Sequence, residues 1–201
     1  ELGLKQPRQY TLSDSAKADH LRISVKREDP KGDLAGGWVS NTLHHLNVGD
    51  EIEVTAPTGN FFLVNSDKPN VFISGGVGLT PMIAMLNQLV DAGIPQPVSF
   101  IHACRNADVH AMKKHVDSVK AQHANVKTFV AYEVANEGEA DVVGRLDLAN
   151  VPADLLPAHA DYYLCGPAPF MQEQYKALVA KGIAPEQIHL EAFNTGGVKV
   201  N

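Results

Sequence analysis

Hydrophobic and polar positions change rhythm near residue 67. Before it, short segments alternate one for one. After it, continuous apolar runs are interleaved with stretches whose apolar residues recur every three or four positions. In LRISVKRE (21–28), Leu21, Ile23 and Val25 point one way and Arg22, Ser24 and Lys26 the other, the period-two pattern of a half-buried strand. RQYTLS (8–13) and DEIEVTAP (50–57) show similar alternation or β-branched enrichment, with clusters of Asp, Lys, Gly and Pro between the three segments. Residues 1–66 are therefore expected to form a small antiparallel β-barrel.

From residue 67 to 201 the pattern predicts alternating strands and helices. The strands are expected at VFIS from Val71, VSFIHA (98–103), VKTFVAY (126–132), DYYLCG (161–166) and QIHLEAF (187–193). Helices are expected after Thr80, over 107–123 and over 170–181. Such alternation predicts a parallel sheet covered by helices on both faces, joined by right-handed crossovers. Ligands of such sheets sit beyond the carboxyl ends of the strands, where Gly75 to Gly78 and Cys165 to Pro167 would both lie.

The stretch VFISGGVGLTPMIAMLNQLVDAG (71–93) carries the strongest local signal. An apolar strand runs into Gly75, Gly76 and Gly78, then into a helix for which Thr80 is the expected N-cap, Pro81 the first helical residue and Gly93 the stop. Open N–H groups and the positive end of the helix dipole would converge at this turn and suit a phosphate. The dinucleotide pattern GxGxxG is not met, because Pro81 stands where the third glycine belongs, and a turn that serves packing alone remains open. GGWVSNTLHHL (36–46) reads as a second glycine turn opening a short helix, with a plain surface loop as the alternative. Trp38, the only tryptophan, would cover either a ligand or an apolar gap.

Composition narrows the function. The 201 residues are 44% hydrophobic and 20% charged, ordinary for a globular chain, and the formal charge of −6 without a basic run argues against nucleic-acid binding. Cys104 and Cys165 are too few for a disulfide framework, a zinc site or an iron–sulfur cluster, and they fit a reducing, cytoplasmic setting. No apolar run has transmembrane length and no signal peptide is recognised. The nine histidines are scattered without a CxxCH, so the sequence predicts no haem or metal site. Glu1 is not an initiator residue, and the chain is expected to be a piece of a longer protein.

RQYT ahead of GGVGLTPM and CGPAPFM resembles the ferredoxin-reductase-like flavoproteins. VSNTLHHLNVGDEIEVTAPTGNFF and the late EAF bring it nearest to the C-terminal reductase module of the flavohemoglobins. The resemblance implies a ferredoxin-NADP reductase-like fold, with FAD on a barrel (1–66) that lacks the first strands found in the family, and NADH, or NADPH, on the α/β part (67–201). Arg8 would pair with the FAD pyrophosphate, Gln9 and Tyr10 would lie along the flavin, and Thr11 would bond its ring. Gly37, Val39 and Ser40 would hold the other side of the pyrophosphate. Gly76, Val77, Gly78, Leu79, Thr80 and Pro81 would face the NAD(P)H phosphates and nicotinamide, with Cys165, Gly166 and Pro167 closing that pocket. Glu191, Ala192, Phe193, Asn194 and Thr195 would form the flavin-covering end. Thr11, Cys165 and Glu191 are the implied catalytic residues, Cys165 positioning hydride transfer and not acting as a nucleophile. The implied acceptor is the haem of a globin domain outside this chain, which in a nitric oxide dioxygenase would turn nitric oxide into nitrate. A stand-alone reductase and a non-catalytic nucleotide-binding module are the alternatives. Arg105, after the second α/β strand, would meet a 2′-phosphate, yet no basic cluster accompanies it, and NADH is the expected coenzyme.

Overall fold

The computed structural model describes residues 6–17, 19–64 and 66–193. Its centre is β1 (Asn70–Gly75), every residue of which is buried. β2 (Val98–Cys104) and β5 (Asp161–Cys165) pair with β1 in parallel, one on each side. β3 (Val126–Tyr132), β4 (Val142–Val143) and β6 (Ile188–Glu191) complete a six-stranded parallel sheet of order β4-β3-β2-β1-β5-β6. The chain winds outward from β1 to β4, then returns to the other side of β1. Crossovers therefore diverge between β1 and β5, and a crevice opens at the carboxyl ends of these two strands.

Alternation along the central strands divides the core in two. Val71, Ile73, Tyr162 and Leu164 face one side, packing with Leu178 of α4 (Ala168–Ala180). Phe72, Phe100 and Tyr163 face the other, against Met82, Ile83 and Leu86 of α2 (Leu79–Asp91) and Val116 and Val119 of α3 (Lys113–Gln122). Each fully buried side chain of this size contributes about 1.5–3 kcal/mol relative to exposure.

Helix boundaries differ from the expected ones for local reasons. A 3-10 turn at Gly76–Gly78 runs directly into α2, so Gly78 is the N-cap. Thr80 lies inside the helix, its hydroxyl donating back to the Val77 carbonyl at 3.2 Å. The stop is as expected: Gly93 has φ +81°, its N–H bonds the Val90 carbonyl, and Ile94 bonds Leu89 in a Schellman motif. Residues 107–112 do not join α3. Ala107–Val109 forms a separate 3-10 turn, His110 bonds the Tyr132 hydroxyl at 2.7 Å, and Met112 enters the helix at φ +57°. That bond draws His110 to the end of β3 and away from a helical path. α4 starts two residues early because Pro169 is tolerated in a first turn, where its N–H would have no partner. The short edge strand β4 falls between the expected strands at 126–132 and 161–166, where the pattern marks no element.

The expected strands before residue 67 are not formed among the described residues. A single antiparallel bridge, Leu12 with Ile23, joins 8–13 to 21–28, supported by Ser13 N–H to the Arg22 carbonyl at 2.8 Å and by a 2.8 Å bond between the Ser13 and Ser24 hydroxyls. Residues 50–57 pair with nothing regular, and Val48, Ile52 and Val54 are exposed. Alternation yields a strand only where a neighbour accepts its backbone bonds and its apolar face. Leu21, expected inside, is likewise exposed. Helix α1 (Trp38–His44) follows the second glycine turn as expected.

This first part is nonetheless anchored on the sheet domain. Asn87 of α2 donates to the Asp14 carboxylate at 2.8 Å, the Val64 N–H donates to the Tyr163 hydroxyl at 2.9 Å, and Phe61 meets the Tyr163 ring edge-on. Ser66 bonds the buried carboxylate of Asp161.

Candidate functional site

A cleft of about 270 Å³ lies where the two parts of the chain meet. Arg8, Gln9, Tyr10 and Thr11 form one wall, Gly37, Trp38, Val39 and Ser40 a second, and Val77 and Thr80 of the turn after β1 approach from the sheet domain, with Phe193 at the margin. The cradle around α1 is braced from below. Ser40 Oγ accepts the Glu28 N–H at 3.2 Å and donates to the Gly37 carbonyl at 3.0 Å, while the Asn41 amide donates to the carbonyls of Glu28 and Gly37, both at 2.9 Å. The first N–H groups of α1 have no carbonyl partner within the helix and are left for another acceptor. Burial raises the pKa of Tyr10, partly offset by the Arg8 charge, so the phenol stays neutral beside a guanidinium.

At the turn after β1, packing and accessibility are divided between neighbouring residues. A Cβ on Gly78 would overlap the Cys165 carbonyl and lie 2.7 Å from the Gly166 nitrogen, so this glycine lets the turn sit directly on the end of β5. Gly76, at φ +54°, would meet nothing within 4 Å. The 3-10 geometry uses the Leu79 N–H on the carbonyls of Gly76 and Val77, which moves the open donors back to Gly76–Gly78. Phe170, at the start of α4, packs where side chains on Gly75 or Gly166 would stand.

The implied catalytic residues fall in two places. Thr11 lines the cleft. Cys165 and Glu191 are register partners at the carboxyl ends of β5 and β6, beneath the Gly78 turn and not on the cleft wall. Cys165 is fully buried, and burial, with a smaller contribution from the Glu191 charge, pushes its thiol far above the ordinary range. A protonated, enclosed thiol has no nucleophilic role. Burial also raises Glu191 above the usual carboxylate range. Gly76, Gly78, Leu79, Pro81, Gly166, Pro167 and Ala192 do not line the cleft; Gly78, Pro81 and Gly166 are buried and Leu79 packs in the apolar core. Asn194 and Thr195 lie outside the described residues.

Ser24, Lys26 and Glu28 also line the cleft, with Lys26 and Glu28 ion-paired at 2.9 Å. They belong to the polar side of LRISVKRE, which alternation assigns to solvent. That polar periodicity was the available signal, and only the fold turns it toward a ligand site.

Residues 72–176 match the family profile described as the oxidoreductase NAD-binding domain, and residues 3–63 match the oxidoreductase FAD-binding domain. The chain is 47% identical over 206 aligned residues to the flavohemoprotein of Bordetella pertussis, covering 98% of this chain and 50% of the relative. It thus spans about half the length of the curated relatives it matches. Among solved structures, the flavohem-like FAD/NAD-binding domain of nitric oxide dioxygenase from Vibrio cholerae superimposes with TM-score 0.85 at 37% identity, covering 92% of this chain and 76% of the other. Flavohemoglobin from Malassezia yamatoensis, solved with bound FAD and heme, gives TM-score 0.73 at 28% identity, over 94% of this chain and 47% of the other. The architecture is ferredoxin-NADP reductase-like.

Proposed function

Because the chain belongs to the oxidoreductase NAD-binding domain family and its first part matches an oxidoreductase FAD-binding domain, we propose that it is the reductase half of a flavohemoglobin-like nitric oxide dioxygenase. The observation that carries this reading is the shared cleft, in which Arg8 to Thr11 face Val77 and Thr80 across one opening. Residues 1–66 would hold the flavin and residues 67–201 the NAD(P)H, a division supported by the two profile matches.

The residues of the cleft fit a flavin nucleotide. Arg8 offers a planar cation at the rim, Tyr10 a half-buried ring, and Thr11 and Ser40 hydroxyls, while Gly37 and Val39 shape the open first turn of α1. When bound, FAD supplies the exchange between a two-electron hydride donor and a one-electron acceptor such as a haem. The chain's own contribution is placement. Arg8 and the start of α1 would grip phosphate oxygens from two sides, and Thr11 would donate to the flavin edge. The turn at Gly76–Gly78 would present N–H groups to the NAD(P)H phosphates. Cys165, held neutral by burial, and Glu191 would back the nicotinamide pocket without trading protons with it.

The acceptor in this reading is the haem of a globin domain, in the part of the relatives that this chain does not span. NADH is the proposed coenzyme, since Arg105 stands exposed without a basic cluster. No helix among the described residues is long and apolar enough to cross a membrane. A cytoplasmic location is proposed on the two free cysteines. The reading is tested by adding FAD to the purified chain under anaerobic conditions and titrating NADH and NADPH separately. Bleaching of bound flavin by NADH supports it; a chain that binds NADH but retains no flavin supports a non-catalytic nucleotide-binding module, the reading favoured by the sparse strand pairing before residue 67.

A further inference from the structure

Three metal-capable side chains close in sequence, His102, Cys104 and His110, converge at the carboxyl end of β2. His102 and Cys104 project from alternate positions of the strand, and the turn at Ala107–Val109 folds His110 back over them. The His102 and His110 rings lie 4.4 Å apart, and one ligand-capable atom from each of the three residues falls within 4.8 Å of the other two.

The surroundings of the two rings prepare them for a metal. His102 is 1% exposed; its Nδ1 is 2.9 Å from the Ser74 hydroxyl, and its Nε2 is buried with no hydrogen-bond partner. Few buried polar atoms are left in that condition, and an unoccupied ligand position is one physical reason for it. His110 has its Nδ1 on the Tyr132 hydroxyl. With each Nδ1–H donated to its hydroxyl, both Nε2 lone pairs are free, the tautomer found in metal-bound imidazoles whose other ring nitrogen donates to an oxygen. Asn106 Oδ1 at the same strand end is also buried without a partner, and the Asn106 carbonyl accepts from the Cys104 thiol at 3.4 Å.

We propose that His102, Cys104 and His110 form a binding site for a thiophilic divalent ion of the zinc class, the fourth position being taken by water. Two imidazoles and a thiolate are a recurrent zinc donor set, and the present separations close to bonding distance with shifts of about 1 Å. On binding, the metal–sulfur bond replaces the S–H bond of Cys104 and the proton leaves to solvent, with no change of oxidation state. Cys104 and His110 are partly exposed, which gives the ion a path in. None of the three residues lines the cleft between Arg8 and Thr80.

The test strips the purified chain with a chelator and titrates it anaerobically with cobalt(II) alone. About one equivalent should produce tetrahedral d–d bands and a near-ultraviolet thiolate-to-cobalt band, both bleached by zinc. Cys104→Ser should abolish the thiolate band, and His110→Ala should weaken cobalt binding by about tenfold or more. On the unsubstituted chain, where folding of a variant is not in question, zinc should slow alkylation of Cys104 by iodoacetamide, read by peptide mass. A wild-type titration without a thiolate band, a band that survives Cys104→Ser, or alkylation of Cys104 indifferent to zinc overturns the proposal.

Discussion

Gly78 rests directly on the backbone of Cys165, so that the turn after β1 and the end of β5 form one continuous ledge beside the cleft. The ends of two strands that are neighbours in the sheet, joined here through residues 87 positions apart, are locked by the absence of a side chain. Gly78→Ala must move backbone at one of the two strand ends, since the atoms it meets belong to the main chain. The expected loss is about 1–3 kcal/mol of stability, with NADH-dependent flavin reduction falling in parallel. Urea unfolding checks the first; an unchanged midpoint would show that the ledge yields freely.

Arg8 is exposed at the cleft rim, and its one described hydrogen bond is to the neighbouring Pro7 carbonyl. Removing it should therefore leave the fold intact. A charge-assisted bond to phosphate is worth about 1.5–3 kcal/mol, so Arg8→Ala should weaken FAD binding roughly 10- to 100-fold, and Arg8→Lys should restore only part of it. Flavin fluorescence titration, with circular dichroism as the control for folding, measures both.

Trp38 is the sole tryptophan, 62% exposed and on the cleft wall. Its emission should be quenched as FAD enters, with a saturation curve matching that of the flavin signal. A Trp38 spectrum indifferent to FAD would place the flavin elsewhere.

Glu191 sits partly buried beside Cys165, and burial raises its pKa. A raised carboxylate pKa means the folded state holds the proton more tightly than the unfolded chain, so this stabilising contribution is complete below the unfolded pKa. It is lost as pH rises through the folded value. Glu191→Gln should thus be more stable than the parent at neutral pH, with the difference vanishing under acidic conditions. Thermal melts of both chains across that range decide it, and a variant that is less stable at neutral pH would assign Glu191 a favourable charged contact instead.

The α/β part was readable because its central strands β1 and β5 are buried on both faces and their neighbours β2 and β3 mostly so. β3 spans the residues its apolar run marks out, and β1, β2 and β5 lie within a residue of theirs. The antiparallel part was not, because alternation records only which side of a strand prefers oil. It does not say whether another strand is there to receive the backbone, and at 50–57 none of the described residues does so.

The chain's own pattern determined the sheet-forming runs, the helix stop at Gly93 and the two glycine turns, since each follows from local sterics and short-range periodicity. Tertiary structure alone decided that Lys26 faces the cleft, that Cys165 is sealed under Gly78, and that His110 swings in to meet His102 and Cys104. The first two outcomes depend on the approach of residues distant in sequence and the third on the hydrogen bond that holds His110 to Tyr132, contacts that outweigh local preference.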